Sequence, residues 1–510
     1  MNVQRYGLLK LCRWRPQCRN NSISSNICKD TLNNLCKYLH ISENVAQHLV
    51  IKHPVINKLD EDHIRKLVQT VHELGFEKEV LVEEPQIFGI LPVTLKYRFQ
   101  VLTECGIKYI SPDLLKSYLP IIKQRKISNL KKSGLIPANV NIENRLATYM
   151  TQWPTSLTSY IWENVNELSL FTIRLKIIQR YLELLLDLTH EEFYRAIETY
   201  PTVKHRPLEV INESLNILQS QIMMPSPKIK TNMYLVHADP ENLKNILFKF
   251  RYIGGIDIKE VIRLHPKIAM KNYNTLVEIR NILKEYNIGD EAQRRCFDIY
   301  TLSSNTVRER LEKAKSIPEF NTFYQHPRFL KMIHYNNTAI KRLQKLYNNN
   351  KKCLSLNILS GSSAHYDTFE KAPGDRLGKG KDLLFCISQA LGKKYKSNDI
   401  RNVIKRHPFW INIPLVQVKY VYQKLSNEFT PQDIYENCPI LLYPWSKIRE
   451  ILVIFKEREM LSRIPNSYEN IDMSKLNNSQ ILSLVLYALE RNHYFTGNGV
   501  WVEENKNVLK

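Results

Sequence analysis

Positively charged side chains recur at fixed places beside prolines, and they are the residues of this chain best suited to binding phosphates. Arg263 stands three residues before Pro266, and Lys405 stands three residues before Pro408. Lysines and arginines that lie in a row can neutralise successive phosphates of a nucleic acid. The sequence therefore predicts a basic face that binds nucleic acid, with these candidate residues: Lys123, Arg125, Lys126, Arg263, Lys267, Lys271, Arg328, Lys331, Arg342, Lys345, Arg401, Lys405 and Arg406. For any single one of them, a solvated helix face is the alternative.

Residues that would carry out a reaction show no recognisable pattern. The segment 374–382 has three glycines and two lysines but departs from the spacing of a phosphate-binding loop, and Asp382 stands where that loop needs a hydroxyl. His72-Glu73 lacks the second histidine of a zinc protease motif, and the nine cysteines include no C-x-x-C pair. We therefore predict a protein that is not an enzyme, with no catalytic residue, no metal site and no cofactor, and with free thiols in a reducing compartment.

The elements that must position the cations are helices separated by prolines. Five prolines follow a short apolar pair, and the interval from the first to the second equals that from the fourth to the fifth: Pro54, Pro85, Pro266, Pro408 and Pro439. Pro120 and Pro201 resemble further members of the series. At offsets +10, +13, +17 and +20 from most of these prolines the residues are mainly apolar, for example Leu276, Ile279, Leu283 and Tyr286 after Pro266. Steps of three and four place such residues on one face of a helix.

Each period therefore predicts a short helix, a break at the proline and a longer amphipathic helix. Proline breaks a helix because its ring clashes with the preceding turn and it has no N–H to donate. Gly75 and Gly106 occupy offset +21, where glycine commonly ends a helix, whereas Asn287 and Phe429 occupy that offset in later units. One such unit cannot bury its apolar stripe alone, so stacked neighbours would bury it for one another. An ordinary multi-helix globule is the alternative.

Four histidines directly precede a proline: His53, His265, His326 and His407. We interpret them as packing or capping residues of the turn, and a series of ligand contacts is the alternative. Residues 355–382 interrupt the repeat and hold four of the 15 glycines, which predicts a flexible insertion or linker.

Composition agrees with a folded, helical and basic protein. The 510 residues are 43% hydrophobic and carry a formal net charge of +23, which excludes a wholly disordered chain. An uninterrupted apolar run long enough to cross a bilayer is absent from the sequence, so we expect no membrane-spanning helix and no membrane partner. Residues 1–29 contain six lysines and arginines and no acid, which is typical of a mitochondrial transit peptide. A basic arm that touches nucleic acid is the alternative for this segment.

With its proline-anchored repeat, apolar helix stripe, glycine caps, basic balance and N-terminal segment, the chain resembles the mitochondrial transcription termination factor (mTERF) family, as a divergent member of insect type. The resemblance covers about residues 40–465 and is clearest over 49–106, 261–287 and 403–442. It implies an all-α, curved helical-repeat solenoid of proline-punctuated units of about 31–35 residues. It also implies a basic concave face that follows a nucleic-acid duplex. Family members include proteins that bind DNA and terminate or modulate mitochondrial transcription, and others that act on ribosomal RNA.

We accordingly expect a transit peptide at 1–29, a repeat block at 30–354, a flexible insertion at 355–382, further repeats at 383–465, and a C-terminal helix with an aromatic tail at 466–510. The expected function is binding of mitochondrial duplex DNA in the matrix to regulate transcription. Two alternatives stay open. One is an RNA-binding factor in mitochondrial ribosome assembly, with mitochondrial ribosomal RNA as partner. The other is a scaffold that acts through another family member or the mitochondrial transcription machinery.

Overall fold

A computed structural model of the chain describes residues 28–150, 164–352, 354–375, 380–408, 410–456 and 476–491. They belong to two compact units, Met1–Asn212 and Glu213–Lys510, so the division falls inside the repeat block predicted over 30–354. Most of the predicted transit peptide and all of the predicted aromatic tail lie outside the described residues.

The first unit is built from short α-helices. They are α1 (Lys29–Leu39), α2 (Glu43–Lys52), α3 (Glu61–Glu73), α4 (Val80–Glu83), α5 (Pro92–Glu104), α6 (Pro112–Lys116), α7 (Tyr118–Gln124), α8 (Ile127–Lys132), α9 (Ile142–Ala147), α10 (Leu170–Leu186), α11 (His190–Thr199) and α12 (Leu208–Asn216), whose last residues enter the second unit. Short 3-10 helices lie between them, at Ile56–Lys58, Pro85–Gly89, Val165–Glu167 and Pro201–His205.

The second unit continues the same pattern. Its α-helices are α13 (Ser226–Thr231), α14 (Pro240–Asn245), α15 (Ile258–Leu264), α16 (Tyr273–Glu285), α17 (Asp290–Arg295), α18 (Ser304–Ser316), α19 (Pro318–Thr322), α20 (Phe329–His334), α21 (Asn336–Asn348), α22 (Leu356–Ser360), α23 (Ser363–Lys371), α24 (Lys381–Ala390), α25 (Ser397–Ile404), α26 (Leu415–Leu425), α27 (Pro431–Glu436), α28 (Trp445–Lys456) and α29 (Asn478–Arg491). Its 3-10 helices are Met233–His237, Pro266–Met270, Phe297–Thr301, Trp410–Asn412 and Cys438–Leu442, and Ile217–Gln221 and Ile246–Phe250 are π-helical.

The strands of the described residues are two short ones, β1 (Tyr252–Ile253) and β2 (Ile256–Asp257), which pair antiparallel around Gly254-Gly255. Both glycines have positive φ, as a tight two-residue hairpin turn requires. The predicted all-α helical-repeat fold is therefore confirmed. Within the described residues, no helix combines the length and apolar character that crossing a bilayer requires.

A 3-10 helix between two α-helices is the recurring unit of both halves. Pro85, Pro201 and Pro266 each begin such a 3-10 helix, as the proline pattern predicts, whereas Pro120 lies inside α7. Equivalent 3-10 helices begin without proline at Met233 and Phe297. The starts at positions 201, 233, 266 and 297 are almost evenly spaced. The repeat is therefore continuous through this region, including units whose turn has no proline.

The residue before each of these turns has a similar backbone conformation, whether or not proline follows. Its φ and ψ are −126° and 75° at His265 before Pro266, −126° and 54° at Asn232 before Met233, and −155° and 74° at Cys296 before Phe297. Steric contact with a following proline disfavours the helical region for such a residue. At Asn232 and Cys296 the surrounding structure holds a similar non-helical conformation without that contact.

The apolar stripe predicted after each proline forms the core. Ile64, Leu67 and Val71 are buried in the first unit, and Val418, Val421 and Leu425 are buried in the second. After Pro439 the buried residues are Ile448, Leu452 and Phe455, which lie on one face of α28. The first of them stands one position closer to the proline than in the other repeats. This shift leaves Arg449 exposed and explains why the unit appears irregular in the sequence.

The residue at offset +21 ends the helix in the left-handed conformation in three repeats. Gly75 and Gly106 have φ of 81° and 85°, and Asn287 has φ of 54°. Asparagine is among the residues that tolerate this conformation best after glycine. The predicted glycine caps are thus confirmed, and Asn287 takes the same role.

Residues 355–382 depart from the prediction of a flexible insertion. The segment contains α22 and α23, and Leu356, Ile358 and Leu359 are buried in the core of the second unit. Glycines favour flexibility, but the buried aliphatic residues all precede Gly361, the first glycine of the segment, and their burial stabilises a folded structure there. Residues 376–379 are outside the described part.

A buried ion pair joins three elements of the first unit. Arg174 on α10 donates from Nη1 to Oε2 of Glu104 at the end of α5 over 2.6 Å, and from Nη2 to the carbonyl oxygen of Arg206 over 2.7 Å. The other oxygen of Glu104 accepts from the backbone N–H of Glu209 in the first turn of α12. The two side chains are 1% and 3% exposed, so the pair is held entirely inside the protein.

Candidate nucleic-acid interface

Consecutive turns of the second unit stack on one another and form one edge of the repeat. The 3-10 helix Pro266–Met270 contacts Met233–His237 on one side and Phe297–Thr301 on the other, and α20 packs against Phe297–Thr301. Equivalent positions in successive repeats are therefore brought side by side. We call this edge the turn ladder.

Three of the predicted binding residues lie on the turn ladder with exposed side chains. Arg263 is in the last turn of α15, Lys267 is in the following 3-10 helix, and Lys331 is on α20. Lys271, just after the 3-10 helix, is half-buried. Within the described ranges, no carboxylate forms an ion pair with any of these four. Their charge is therefore available to a ligand.

Sequence reasoning missed Arg294, which the structure adds to the turn ladder. It is exposed in the last turn of α17 and stands three residues before Phe297, as Arg263 stands before Pro266. The absence of proline at position 297 concealed this equivalence. Two signals were available: the interval from Pro266 to Phe297 equals that from Pro54 to Pro85, and apolar residues follow position 297.

One histidine of the turn ladder, His334, adds no positive charge to it. Burial lowers the pKa of His334 on α20, while the nearby carboxylate of Asp298 opposes that shift. His334 is therefore neutral at physiological pH. Asp298 lies within 3.3 Å of Nδ1 of His265, so this carboxylate faces an imidazole of the neighbouring turn.

The cations before Pro408 form a second exposed group. Arg401, Lys405 and Arg406 lie on α25 and directly after it, and α25 packs against the 3-10 helix Cys438–Leu442. No ion pair links them to an acid within the part of the chain that the structure describes. In the first unit, Lys123 and Arg125 are exposed at the end of α7, and the ammonium of Lys123 lies 5.1 Å from the ring centre of Phe171.

Four predicted binding residues are engaged by other parts of the protein, and three of them lie at the surface. Lys126 pairs with Glu167 over 2.7 Å, and Lys345 pairs with Glu370 over 2.7 Å. The guanidinium of Arg328 donates to the side chain of Asn357 and is 3.9 Å from Asp382. These three retain exposed or partly exposed side chains, but their charge is directed to neighbouring groups.

Arg342, the fourth, differs from its prediction as a surface cation because it is buried. Its side chain is only slightly exposed, and Nη1 donates to the carbonyl oxygens of Ile358, Leu359 and Gly361 at the end of α22. Lys351 does the same for α23, with its ammonium within 2.8 Å of three carbonyl oxygens. A cation at a helix C-terminus satisfies carbonyls that have no partner in the helix. Both residues therefore stabilise the segment predicted to be flexible.

The histidines that precede prolines pack between repeats. The ring of His265 lies 5.4 Å from that of Phe297, His326 lies 4.5 Å from Phe385, and His407 lies 5.5 Å from Tyr443. Burial lowers the pKa of His407 to about 4. These contacts confirm the interpretation of these three as packing residues of the turn.

No group of histidine, cysteine and acidic side chains among the described residues is arranged to hold a metal ion. The described cysteines Cys105, Cys296, Cys386 and Cys438 are buried, and desolvation raises their pKa. A raised pKa leaves these thiols protonated, so they are poor nucleophiles.

No family model and no solved structure matches this sequence. It is similar to the Drosophila melanogaster protein named "Transcription termination factor 5, mitochondrial", with 29% identity over 457 residues. The alignment covers 89% of this chain and 80% of that protein.

Proposed function

Because the chain belongs to the mitochondrial transcription termination factor family, we propose that it binds duplex DNA in the mitochondrial matrix and regulates transcription there. The mechanism is occupancy: a protein held on the duplex terminates or modulates the passage of the transcription machinery without chemical reaction. The Drosophila relative is named for transcription termination in mitochondria, and this supports the compartment and the process proposed here.

The observation that carries the proposal is the row of cations on the turn ladder, none of which pairs with a carboxylate of the described residues. Arg263, Arg294 and Lys331 come from three successive repeats, and Lys267 adds a fourth charge beside Arg263. Cations repeated along one edge match the repeated charge of a phosphate backbone. Phosphate contacts of this kind set the register of the protein, and arginines that reach a groove can read guanine.

Crosslinking in intact mitochondria, followed by sequencing of the bound nucleic acid, distinguishes the proposal from its alternatives. We expect discrete sites on mitochondrial DNA. Recovery of ribosomal RNA alone would support the ribosome-assembly function instead. Recovery of a protein partner with no nucleic acid would support a scaffold and would refute direct binding.

Binding of the purified chain to a DNA duplex at several salt concentrations tests the turn ladder itself. Each phosphate contact contributes about 0.9 to the slope of log K against log salt. The triple variant Arg263→Gln, Lys267→Gln, Lys331→Gln should therefore reduce the slope by about 2 to 3. The control replaces three surface lysines that are already in ion pairs, Lys37, Lys66 and Lys244, by glutamine.

The control triple removes the same total charge, so it corrects for the general field of the protein. We expect it to change the slope by less than half as much as the turn-ladder triple. Equal slopes for the two triples would show that nucleic acid is bound elsewhere.

A further inference from the structure

A concave site lies in the second unit, formed by elements far apart in the sequence. A cavity of about 850 Å³ opens where α18, α19 and α21 face α26 and α28. Lys419 on α26 links the two sides by donating from Nζ to the carbonyl oxygen and to Oδ1 of Asn321, over 3.0 and 3.2 Å. Sites for small molecules are commonly clefts of about 300 to 1,000 Å³. None of the turn-ladder residues lines this cavity.

The lining is cationic. Lys315, Lys352, Lys419 and Arg449 line the cavity, and none of the described lining residues is an aspartate or glutamate. Burial lowers the pKa of Lys419, whose ammonium has two amide oxygens as partners and no carboxylate among the described residues. A partly desolvated ammonium in such surroundings is stabilised by an anion.

The lining is also aromatic. Tyr347, Tyr420 and Trp445 contribute to it, and Tyr420 is 47% exposed. An aromatic ring at a cavity wall can stack on a flat ring of a ligand.

We propose that this cavity binds a free nucleoside monophosphate. The combination needed is a phosphate for the cations and a flat ring for the aromatic side chains. Aromatic stacking favours the base of such a ligand, and charge-assisted hydrogen bonds favour its phosphate. A nucleotide within an oligonucleotide carries the same chemistry, and the test separates the two sources. This site is independent of the turn ladder and of the proposed function.

Isothermal titration calorimetry of the full chain with AMP tests the proposal, with adenosine and inorganic phosphate as partial ligands. We expect AMP to bind at a single saturable site. Adenosine and inorganic phosphate should each bind at least about tenfold more weakly, because each lacks one of the two groups recognised.

Variants of exposed lining residues assign the site. Arg449→Gln and Lys315→Gln should each weaken AMP binding about tenfold or more, and Tyr420→Ser should weaken it through the ring. Lys447→Gln is the matched control, since Lys447 lies on the same helix as Arg449, pairs with Glu450 and does not line the cavity. Thermal melts show that each variant folds.

Four results would overturn the assignment. The first three are an absence of AMP binding, AMP binding that the lining variants leave unchanged, and binding of a single-stranded oligonucleotide without binding of AMP. If inorganic phosphate binds as tightly as AMP, the aromatic side chains do not contribute and the nucleotide assignment is also wrong. Nucleic-acid binding by the turn ladder would be unaffected by any of these outcomes.

Discussion

Replacing Glu104 by glutamine should destabilise the first unit far more than loss of a surface ion pair. Glutamine keeps the size of the side chain and an oxygen that can accept from the N–H of Glu209. It removes the negative charge, however, and leaves the guanidinium of Arg174 uncompensated at 1% exposure. The variant therefore isolates the charge of the pair from its packing.

The expected loss is about 3 to 5 kcal/mol, the usual cost of removing one partner of a buried ion pair. That is a large share of the free energy of unfolding of a typical domain, about 5 to 15 kcal/mol. The matched control is Glu285→Gln, since Glu285 pairs with Arg308 over 2.7 Å at side-chain exposures of 52% and 42%. Exposed pairs of this kind contribute about 1 kcal/mol or less.

Urea unfolding of the full chain, followed by far-ultraviolet circular dichroism, measures both variants. The two compact units require separate transitions in the fit, because a chain of this kind need not unfold in one step. The double variant Glu104→Gln, Arg174→Met leaves neither buried charge and should recover part of the loss, although the carbonyl of Arg206 then lacks its donor. A shift for Glu104→Gln no larger than that for Glu285→Gln would refute this account of the pair.

Three further predictions follow from single side chains. The pKa of His407 is about 4 in the folded chain against about 6.5 unfolded, so unfolding takes up a proton below pH 6.5. The neutral imidazole therefore contributes at most about 3 kcal/mol to the free energy of unfolding above pH 6.5, and this contribution is lost as the pH falls towards 4. His407→Gln should make the thermal midpoint depend less on pH between 6.5 and 4. An unchanged dependence would contradict this prediction. Gly75→Ala should lower the free energy of unfolding in urea by about 1 kcal/mol, because φ is 81° at this position. A steric clash does not add to this cost, since the new Cβ would meet nothing within 4 Å. Gly89→Ala is the control and should cost little, because Gly89 is equally open and does not have a positive φ. Arg342→Gln should lower the thermal midpoint because it weakens the cap of α22, and it should leave the salt dependence of DNA binding unchanged. A reduced salt slope would instead show that Arg342 contacts DNA.

Most of the repeat could be predicted from the sequence because its signals are local. Proline at a turn and a period of three and four in the following helix both act within one unit, and they located the turn at Pro266 and the buried stripe after it. The turns at Met233 and Phe297 were missed because tertiary contacts hold their backbone without proline. Where tertiary packing fixes the turn, the sequence carries no proline to mark it.

The binding residues were harder to predict because a charge in the sequence does not say what it faces. Arg263 and Arg342 are both arginines, but their surroundings differ. Arg263 is exposed in the last turn of α15, whereas Arg342 donates to three carbonyl oxygens at the end of α22. Nothing within a few residues of Arg342 reveals this contact, which spans 16 to 19 positions. Likewise, Lys419 and Asn321 meet although 98 positions separate them, so the basic cavity had no sequence signature.

The turn before Phe297 bears on how such a protein can diverge. The non-helical conformation at Cys296 persists without the proline that elsewhere accompanies it, so the loss of that proline does not remove a repeat. Each unit can lose its most visible signature independently while the turns remain stacked. Repeats of this architecture can consequently outnumber the prolines that mark them. An inventory of repeats in related chains should therefore follow the nearly even interval between turn starts, as at positions 201, 233, 266 and 297.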